Sequence, residues 1–257
     1  METVLKDERL DNTGFGELKI IQNPREFCYG VDAVILSDFA AGRARSGESV
    51  PGKHIRNAMD LGTGNGIIPL VLSHKTTIKE IYGLEVQESA YLRAKRNIAI
   101  NDLSDRITIF KGDVAGYMSK EGRELQGTFD MVLTNPPYVA KGGGIANHMG
   151  AKFIARQETT AGIEDFISTA SKLLKDKGDF FMVHRPSRLS EIVIAMHENS
   201  IEPKEMRFVS PNIHKAPNIL LIHGVKGGGR ELRILDPLYI YDSEGDYSEE
   251  INAIYER

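Results

Sequence analysis

Thr134-Asn135-Pro136-Pro137-Tyr138 gathers groups that can hold a planar amino group and present its nitrogen for reaction. The side-chain carbonyl of Asn135 is a hydrogen-bond acceptor. Pro136 offers a backbone carbonyl with no N–H beside it, and two successive prolines hold the loop rigid. Tyr138 offers a flat ring on which a base can stack. A conjugated exocyclic nitrogen is a weak nucleophile because its lone pair is delocalised. Acceptors that take its hydrogens turn the lone pair toward an electrophile, and no strong base is required when the proton leaves afterwards. Catalysis then rests on positioning and polarisation. Taken alone, Asn-Pro-Pro reads as a turn after a strand; the residues upstream change that reading.

Upstream stands Met59-Asp60-Leu61-Gly62-Thr63-Gly64-Asn65-Gly66. Its glycines allow tight turns and close backbone approach of a ligand. A dinucleotide fingerprint needs glycine at the first, third and sixth loop positions; Gly62 and Gly64 satisfy two, and Ile67 fails the third. Asp60, just before the loop, repels phosphate and attracts an amine or a sulfonium, which disfavours an NAD-dependent dehydrogenase. Glu85, 25 residues past Asp60, ends the next strand and can grip both hydroxyls of a ribose. Asp113 ends the strand after that and can accept a hydrogen bond from an adenine amino group. Each acid alone reads as a helix cap or a surface charge. Three of them on successive strand ends behind a glycine loop point to an adenosine-bearing ligand at the sheet edge.

The elements that must position these groups follow from alternation. Strands are expected at Arg56–Leu61, Glu80–Val86, Ile107–Lys111, Phe129–Thr134, Asp179–His184, Met206–Ser210 and Ile219–Val225. Helices are expected at Ile67–His74, Glu88–Asn101, Ile163–Leu174 and Ser187–Asn199. Strands alternating with helices indicate an α/β, Rossmann-like, seven-stranded and mostly parallel sheet. The connection between the last two strands contains Pro211 and Pro217 and is too short for a helical crossover, so this pair is antiparallel. Residues 1–53, with Leu18–Gln22 and Val31–Ala41 patterned, form an N-terminal extension packed on the core. Residues 54–233 form the main domain, and 234–257 an acidic C-terminal tail.

Composition bounds the rest. The chain has 257 residues with 41% hydrophobic and 26% charged, enough for a real core and unlike a disordered or disulfide-scaffold chain. Its single cysteine, Cys28, cannot pair within the chain, which suits a cytoplasmic setting. The charged start lacks the apolar stretch of a signal peptide, and no run is long enough to span a membrane. Seven scattered histidines show no ligand spacing, so no metal is expected. The net charge of −4 is uneven: residues 139–233 carry 14 basic against 10 acidic side chains, whereas 234–257 carry 1 against 7. A polyanion can therefore bind locally despite the overall sign.

The glycine loop with Asp60, Glu85 and Asp113 resembles the class I S-adenosylmethionine-dependent methyltransferases over roughly residues 55–225. That resemblance implies S-adenosylmethionine as cofactor. Asp60 with the backbone at Gly62 and Gly64 would hold its amino-acid end, Glu85 its ribose and Asp113 its adenine. Asn135-Pro136-Pro137-Tyr138 resembles motif IV of the amino-methyltransferases, whose targets are base amino groups or a glutamine amide. Phe27-Cys28-Tyr29-Gly30-Val31-Asp32-Ala33-Val34-Ile35-Leu36 resembles the extra cofactor motif of the bacterial tRNA adenine-N6 methyltransferases. It implies that Gly30 and Asp32 close over the cofactor, and that the substrate is a valine tRNA adenine just 3′ of the anticodon. The likeness continues through Ala155-Arg156-Gln157-Glu158, Val183-His184-Arg185-Pro186 and Asp236-Pro237-Leu238-Tyr239-Ile240-Tyr241; Gln157 departs from the histidine of that family.

Substrate contacts are expected from Tyr138, Arg156, His184 and Arg185, with Lys141, Lys152 and Arg188 nearby. The Gly142-Gly143-Gly144 stretch reads as a lid or a surface loop, and Lys226-Gly-Gly-Gly-Arg230 as a second basic contact or a bare turn. Two other targets share the motif, a glutamine amide in a protein and an amino group in ribosomal RNA. A non-catalytic RNA-binding protein would show a broken glycine loop or Asn-Pro-Pro-Tyr motif, and both are intact. The length ahead of the glycine loop is too small for the helical domain of the glutamine methyltransferases, which favours tRNA.

Overall fold

A computed structural model describes residues 4–26, 28–46, 54–119, 121–138 and 161–257, with side chains at 43–46 and 121 left aside. The strands are β1 Arg9–Asn12, β2 Lys19–Gln22, β3 Asn57–Leu61, β4 Glu80–Glu85, β5 Ile107–Lys111, β6 Phe129–Thr134, β7 Leu174–His184, β8 Ile201–Ser210, β9 Ile219–Lys226, β10 Arg233–Ile234 and β11 Leu238–Tyr239. The α-helices are α1 Val31–Ser46, α2 Ile67–Lys75, α3 Glu88–Ile100, α4 Ile163–Leu173, α5 Leu189–Glu198 and α6 Glu249–Ile254.

The main sheet runs β10-β8-β9-β7-β6-β3-β4-β5, with β11 also on β8. β9 is antiparallel to both β7 and β8, and every other pairing in this sheet is parallel. The expected mixed α/β sheet with one reversed strand is thus present, with two short strands added at its edge. Its strands are apolar in runs because both faces are covered. One face packs β3, β6 and β7 residues such as Ala58, Met131 and Phe181 against α1, α2 and α6. The other packs Met59, Val132 and Phe180 against Phe166, Ile167 and Met196 of α4 and α5.

The parallel registers align the strand ends. Leu61 pairs with Leu84 on one side and Thr134 on the other. Glu85 pairs with Lys111. All the carboxyl ends of β3, β4, β5 and β6 therefore lie along one edge.

The extension is fastened to the glycine loop by amides. Asn97 of α3 accepts the Ile21 N–H at 2.6 Å and donates to the Ile21 carbonyl at 3.1 Å and the Asn65 carbonyl at 2.9 Å. One turn on, Asn101 accepts the Lys19 N–H at 2.8 Å and donates to its carbonyl at 2.7 Å. Two side chains four apart on one helix face thus satisfy an edge of β2.

Several boundaries differ from expectation. β8 starts five residues before Met206 because Pro203 and Glu205 sit at a register shift that hides its alternation. β7 starts at Leu174, with Lys177 at φ 61 disguising the run as a turn. The expected helix Ser187–Asn199 begins as a short 3-10 turn at Pro186–Arg188 before α5. Residues 234–257, set apart above for their acidity, contribute β11 and α6, and bury Leu238, Ile240, Ile251 and Ile254 in the core. Ser248 caps α6 by accepting the Ile251 N–H, and Glu249 and Glu250 complement its first turn. Lys75, its side chain 2% exposed, locks this helix down through Asp38 at 2.9 Å and the Ile254 carbonyl at 2.7 Å.

Candidate active site

The glycine loop connects β3 to α2 with three left-handed glycines, Gly62 at φ 75, Gly64 at φ 57 and Gly66 at φ 85. A side chain at any of these would be strained. At Gly62 a Cβ would also meet the Phe166 ring at 3.3 Å. The N–H groups of Gly62 and Thr63 both donate to the Leu84 carbonyl, at 2.9 and 3.0 Å. Glu85 Oε2 accepts the Gly64 N–H at 2.8 Å and Oε1 accepts the Gln87 N–H at 2.8 Å. Burial raises the Glu85 carboxyl above the usual range while these backbone donors oppose the rise.

Asp60 is fully buried beneath this loop, and neither carboxylate oxygen has a hydrogen bond among the described residues. Burial pushes its carboxyl up to about 7, the nearby Thr63 hydroxyl opposing the rise and Glu85 adding to it. Thr63 Oγ1 and Asn65 Nδ2 are likewise buried and unpartnered. A cluster of orphaned polar atoms at a glycine-lined strand end needs an external partner, since such groups are costly to leave unpaired. Thr63 and Asn65 were not singled out by spacing; only their place inside the loop hinted at them. Asp113 ends the turn after β5 and accepts the Ala115 N–H at 3.0 Å.

The Asn-Pro-Pro-Tyr segment leaves β6 directly beside the loop, because Thr134 lies opposite Leu61 and donates its hydroxyl to the Leu61 carbonyl at 2.9 Å. Asn135 is half-buried and Pro136 buried. The Tyr138 hydroxyl donates to Asp32 Oδ2 at 2.8 Å, a contact that joins the extension to the Asn-Pro-Pro-Tyr segment. Burial, and next the Asp32 charge, hold the phenol above its ordinary range, so it stays a neutral donor. Asp32 Oδ1 accepts the Ala33 N–H at 2.9 Å, and a Cβ on Gly30 would meet that same oxygen at 2.8 Å. Gly30 therefore makes room for Asp32, a role its spacing did not suggest.

His184 and Arg185, at the end of β7, complete the wall. The His184 ring meets Tyr138 edge-on at 5.1 Å, and the Arg185 guanidinium lies 4.8 Å from the Tyr138 ring centre. His184 Nδ1 accepts the Arg185 N–H at 2.8 Å, so in the neutral ring the proton sits on Nε2, which is buried and unpartnered among the described residues. Burial, with Arg188 next, lowers His184 to about 4, so it is neutral near pH 7 and a weak proton acceptor, its Nδ1 lone pair already taken by the Arg185 N–H. Arg188 is paired with Glu191 at 2.6 Å. Lys226 donates to the Ser171 and Leu174 carbonyls at the opposite sheet edge, and Gly227 follows at φ 61, so that segment is a turn away from the catalytic loop. Lys141, Gly142–Gly144, Lys152, Arg156 and Gln157 lie outside the described residues. Among the described residues no group of three or more His, Cys, Asp or Glu side chains is arranged to hold a metal, and no helix is long and apolar enough to cross a membrane.

Residues 48–202 match the family model described as methyltransferase small domain. The chain belongs to that family. This methyltransferase is 28% identical over 242 residues to a tRNA1(Val) (adenine(37)-N6)-methyltransferase of Porphyromonas gingivalis, covering 93% of this chain and 91% of the relative. Its fold matches a solved structure described as a predicted O-methyltransferase from Agrobacterium tumefaciens, with TM-score 0.67, 21% identity and coverage of 88% and 95% of the two chains. It also matches a geranyl diphosphate C-methyltransferase from Streptomyces coelicolor solved with S-adenosyl-L-homocysteine, with TM-score 0.51, 11% identity and coverage of 74% and 77%. The cofactor of this methyltransferase is S-adenosylmethionine. The orphaned Asp60, Thr63 and Asn65 groups and the Cβ-free loop fit a cationic, hydrogen-bonding ligand of that kind.

Proposed function

We propose that this methyltransferase methylates the exocyclic N6 of an adenine in tRNA, with the anticodon-loop adenine of a valine tRNA as its site. The observation that carries the reading is the Asn135-Pro136-Pro137-Tyr138 segment seated beside the glycine loop by the Leu61–Thr134 register. The likeness to a tRNA adenine-N6 methyltransferase over 93% of this chain supports it.

S-adenosylmethionine supplies an electrophilic methyl group. Asp60, with the Gly62–Gly64 backbone, holds the cationic amino-acid end, Glu85 the ribose and Asp113 the adenine. Glu85 keeps its two backbone donors and orients the loop at the same time. Asn135 Oδ1 and the Pro136 carbonyl accept the two amino hydrogens of the target base and aim its lone pair. Tyr138 stacks on that base. The neutral His184 offers a Nε2–H donor to an acceptor on the base edge. His184, with its Nδ1 lone pair occupied, is not arranged to take the proton, which departs to water after transfer. A stacked adenine must leave its neighbours to reach this loop, which is least costly in a single-stranded loop.

The test places folded valine tRNA, the same tRNA with its anticodon-loop adenine replaced by guanosine, ribosomal RNA and a glutamine-bearing release-factor peptide side by side with labelled cofactor. Methylation of the first substrate alone is expected. Methylation of the peptide alone overturns the reading.

A further inference from the structure

The hairpin between β8 and β9 stands on the same sheet edge as the catalytic loop. β8 is antiparallel to β9 and β9 to β7, so β8 runs parallel to β7 and ends where His184 and Tyr138 lie. The connection, Pro211-Asn212-Ile213-His214-Lys215-Ala216-Pro217-Asn218, holds no carboxylate. Both of its feet are braced. The Pro211 carbonyl accepts the Tyr241 N–H at 2.8 Å, and the Asn218 N–H donates to the Val209 carbonyl at 3.0 Å. Arg185 then donates to the Asn218 carbonyl at 3.1 Å while its guanidinium covers the Tyr138 ring. A continuous path of contacts therefore runs from the catalytic tyrosine to the hairpin.

The tip is different from the feet. Asn212 Oδ1 accepts the His214 N–H at 3.0 Å and its carbonyl accepts the Lys215 N–H at 3.1 Å, which folds a tight turn. That turn pushes Ile213 into solvent at 70% exposure, the most open of the large apolar side chains described. Lys215 and His214 are exposed beside it, and Lys215 makes no ion pair among the described residues. A rigidly mounted apolar side chain next to a cation suits a polyanion with unstacked apolar faces, because each half of the surface meets its complement.

We infer that the 211–218 hairpin is an RNA-contacting surface that seats the strand flanking the target nucleotide, Lys215 on a phosphate and Ile213 against a splayed base or ribose. This rests on the tRNA reading above. Arg185 is the link that keeps hairpin and Tyr138 in register, so it acts as a bracket between them rather than as a free phosphate clamp.

The experiment uses the full chain with substitutions Ile213→Ser and Lys215→Glu, checked for unchanged melting and unchanged S-adenosylhomocysteine binding. Steady-state methylation of folded valine tRNA is then measured over a salt series. For Lys215→Glu the KM for tRNA should rise roughly tenfold or more with kcat within about twofold, and the slope of log affinity against log salt should fall by at least about 0.7–0.9, the loss of one phosphate contact. Ile213→Ser should raise KM and leave the salt slope unchanged. KM values within twofold of wild type for both variants, with wild type active on tRNA, overturn the inference and leave the tRNA reading standing. A wild type inactive on tRNA but active on the peptide overturns the reading itself. If the hairpin variants then impair the peptide reaction, the surface docks protein and not RNA.

Discussion

Asp60→Asn separates what the buried carboxylate costs the free protein from what it does for the cofactor. Its ordinary 3.8 is pushed up to about 7 by burial, which the nearby Thr63 hydroxyl only partly offsets. A raised carboxyl is neutral in both states below about pH 4, so there it costs nothing. As pH rises from 4 toward 7 the unfolded chain ionises first, and folding stability falls; above 7 the full penalty stands. At about 1.4 kcal/mol per pH unit this is roughly 4 kcal/mol. Some relief by water entering the loop brings the expected gain of the Asn variant at pH 8 to about 2–4 kcal/mol, or roughly 4–16 °C in Tm for a chain of this size. At pH 4.5 the gain should shrink to about a quarter of its value at pH 8. The same variant should lose affinity for S-adenosylhomocysteine by at least about tenfold, because the ligand's ammonium no longer meets a charge. Thermal unfolding at pH 4.5 and 8, with and without S-adenosylhomocysteine, reads both effects. A variant no more stable than wild type at pH 8, or one that keeps wild-type affinity, refutes the argument.

Asn135→Ala should lower kcat by on the order of 10²–10³ with cofactor affinity nearly intact, measured by single-turnover methylation and calorimetry. Asp32→Ala and Tyr138→Phe remove the two ends of one hydrogen bond, so the double variant should lose little more activity than either single one; additive losses would show that they act separately. Glu8, gripped by Arg96 and Arg93, is held down at about 2, so its contribution is present above about pH 4.5 and lost as pH falls through 2. The melting difference between wild type and Glu8→Gln should therefore be largest near neutral pH and shrink in acid; a difference constant with pH would count against the ion pair.

The strands that carry the cofactor loop were legible from their apolar patterns: β6 is an almost continuous buried run and β5, at the sheet edge, alternates buried and open residues, and both begin and end where their patterns do. Asp60, Glu85, Asp113 and Asn135 were legible because each stands at the end of such a run. What escaped was structure whose cause lies far along the chain. Asp179 and His223 look like surface residues, yet they are fully buried and bond to each other at 2.9 Å across β7 and β9. β1 reads as four polar or isolated residues, since its reason for existing is β2. The α6 helix was masked by counting its acids as a tail, although Ser248 before Glu249 is a capping signal. The Asp32–Tyr138 bond spans 106 positions, and no local pattern announces it. Gly30 was found as a motif letter, but its physical reason appears only once the Asp32 carboxylate is seen above it.

The paired amides of Asn97 and Asn101 bear on how this protein can be cut or recombined. The stretch that recurs across the family, residues 48–202, begins after β2 and α1 and stops before the reversed strand β9. The Asn97 amide holds both backbone groups of Ile21, and its nitrogen also holds the Asn65 carbonyl, so the shape of the glycine loop is partly the property of residues outside that stretch. A unit of inheritance is here smaller than the unit of stability. Grafting the recurrent stretch beneath a foreign N-terminus would carry over Asp60, Glu85, Asp113 and Asn135, lose Gly30 and Asp32, and leave the loop unsupported on one side, unless the new segment brought a strand edge of the same spacing for those two asparagines to read.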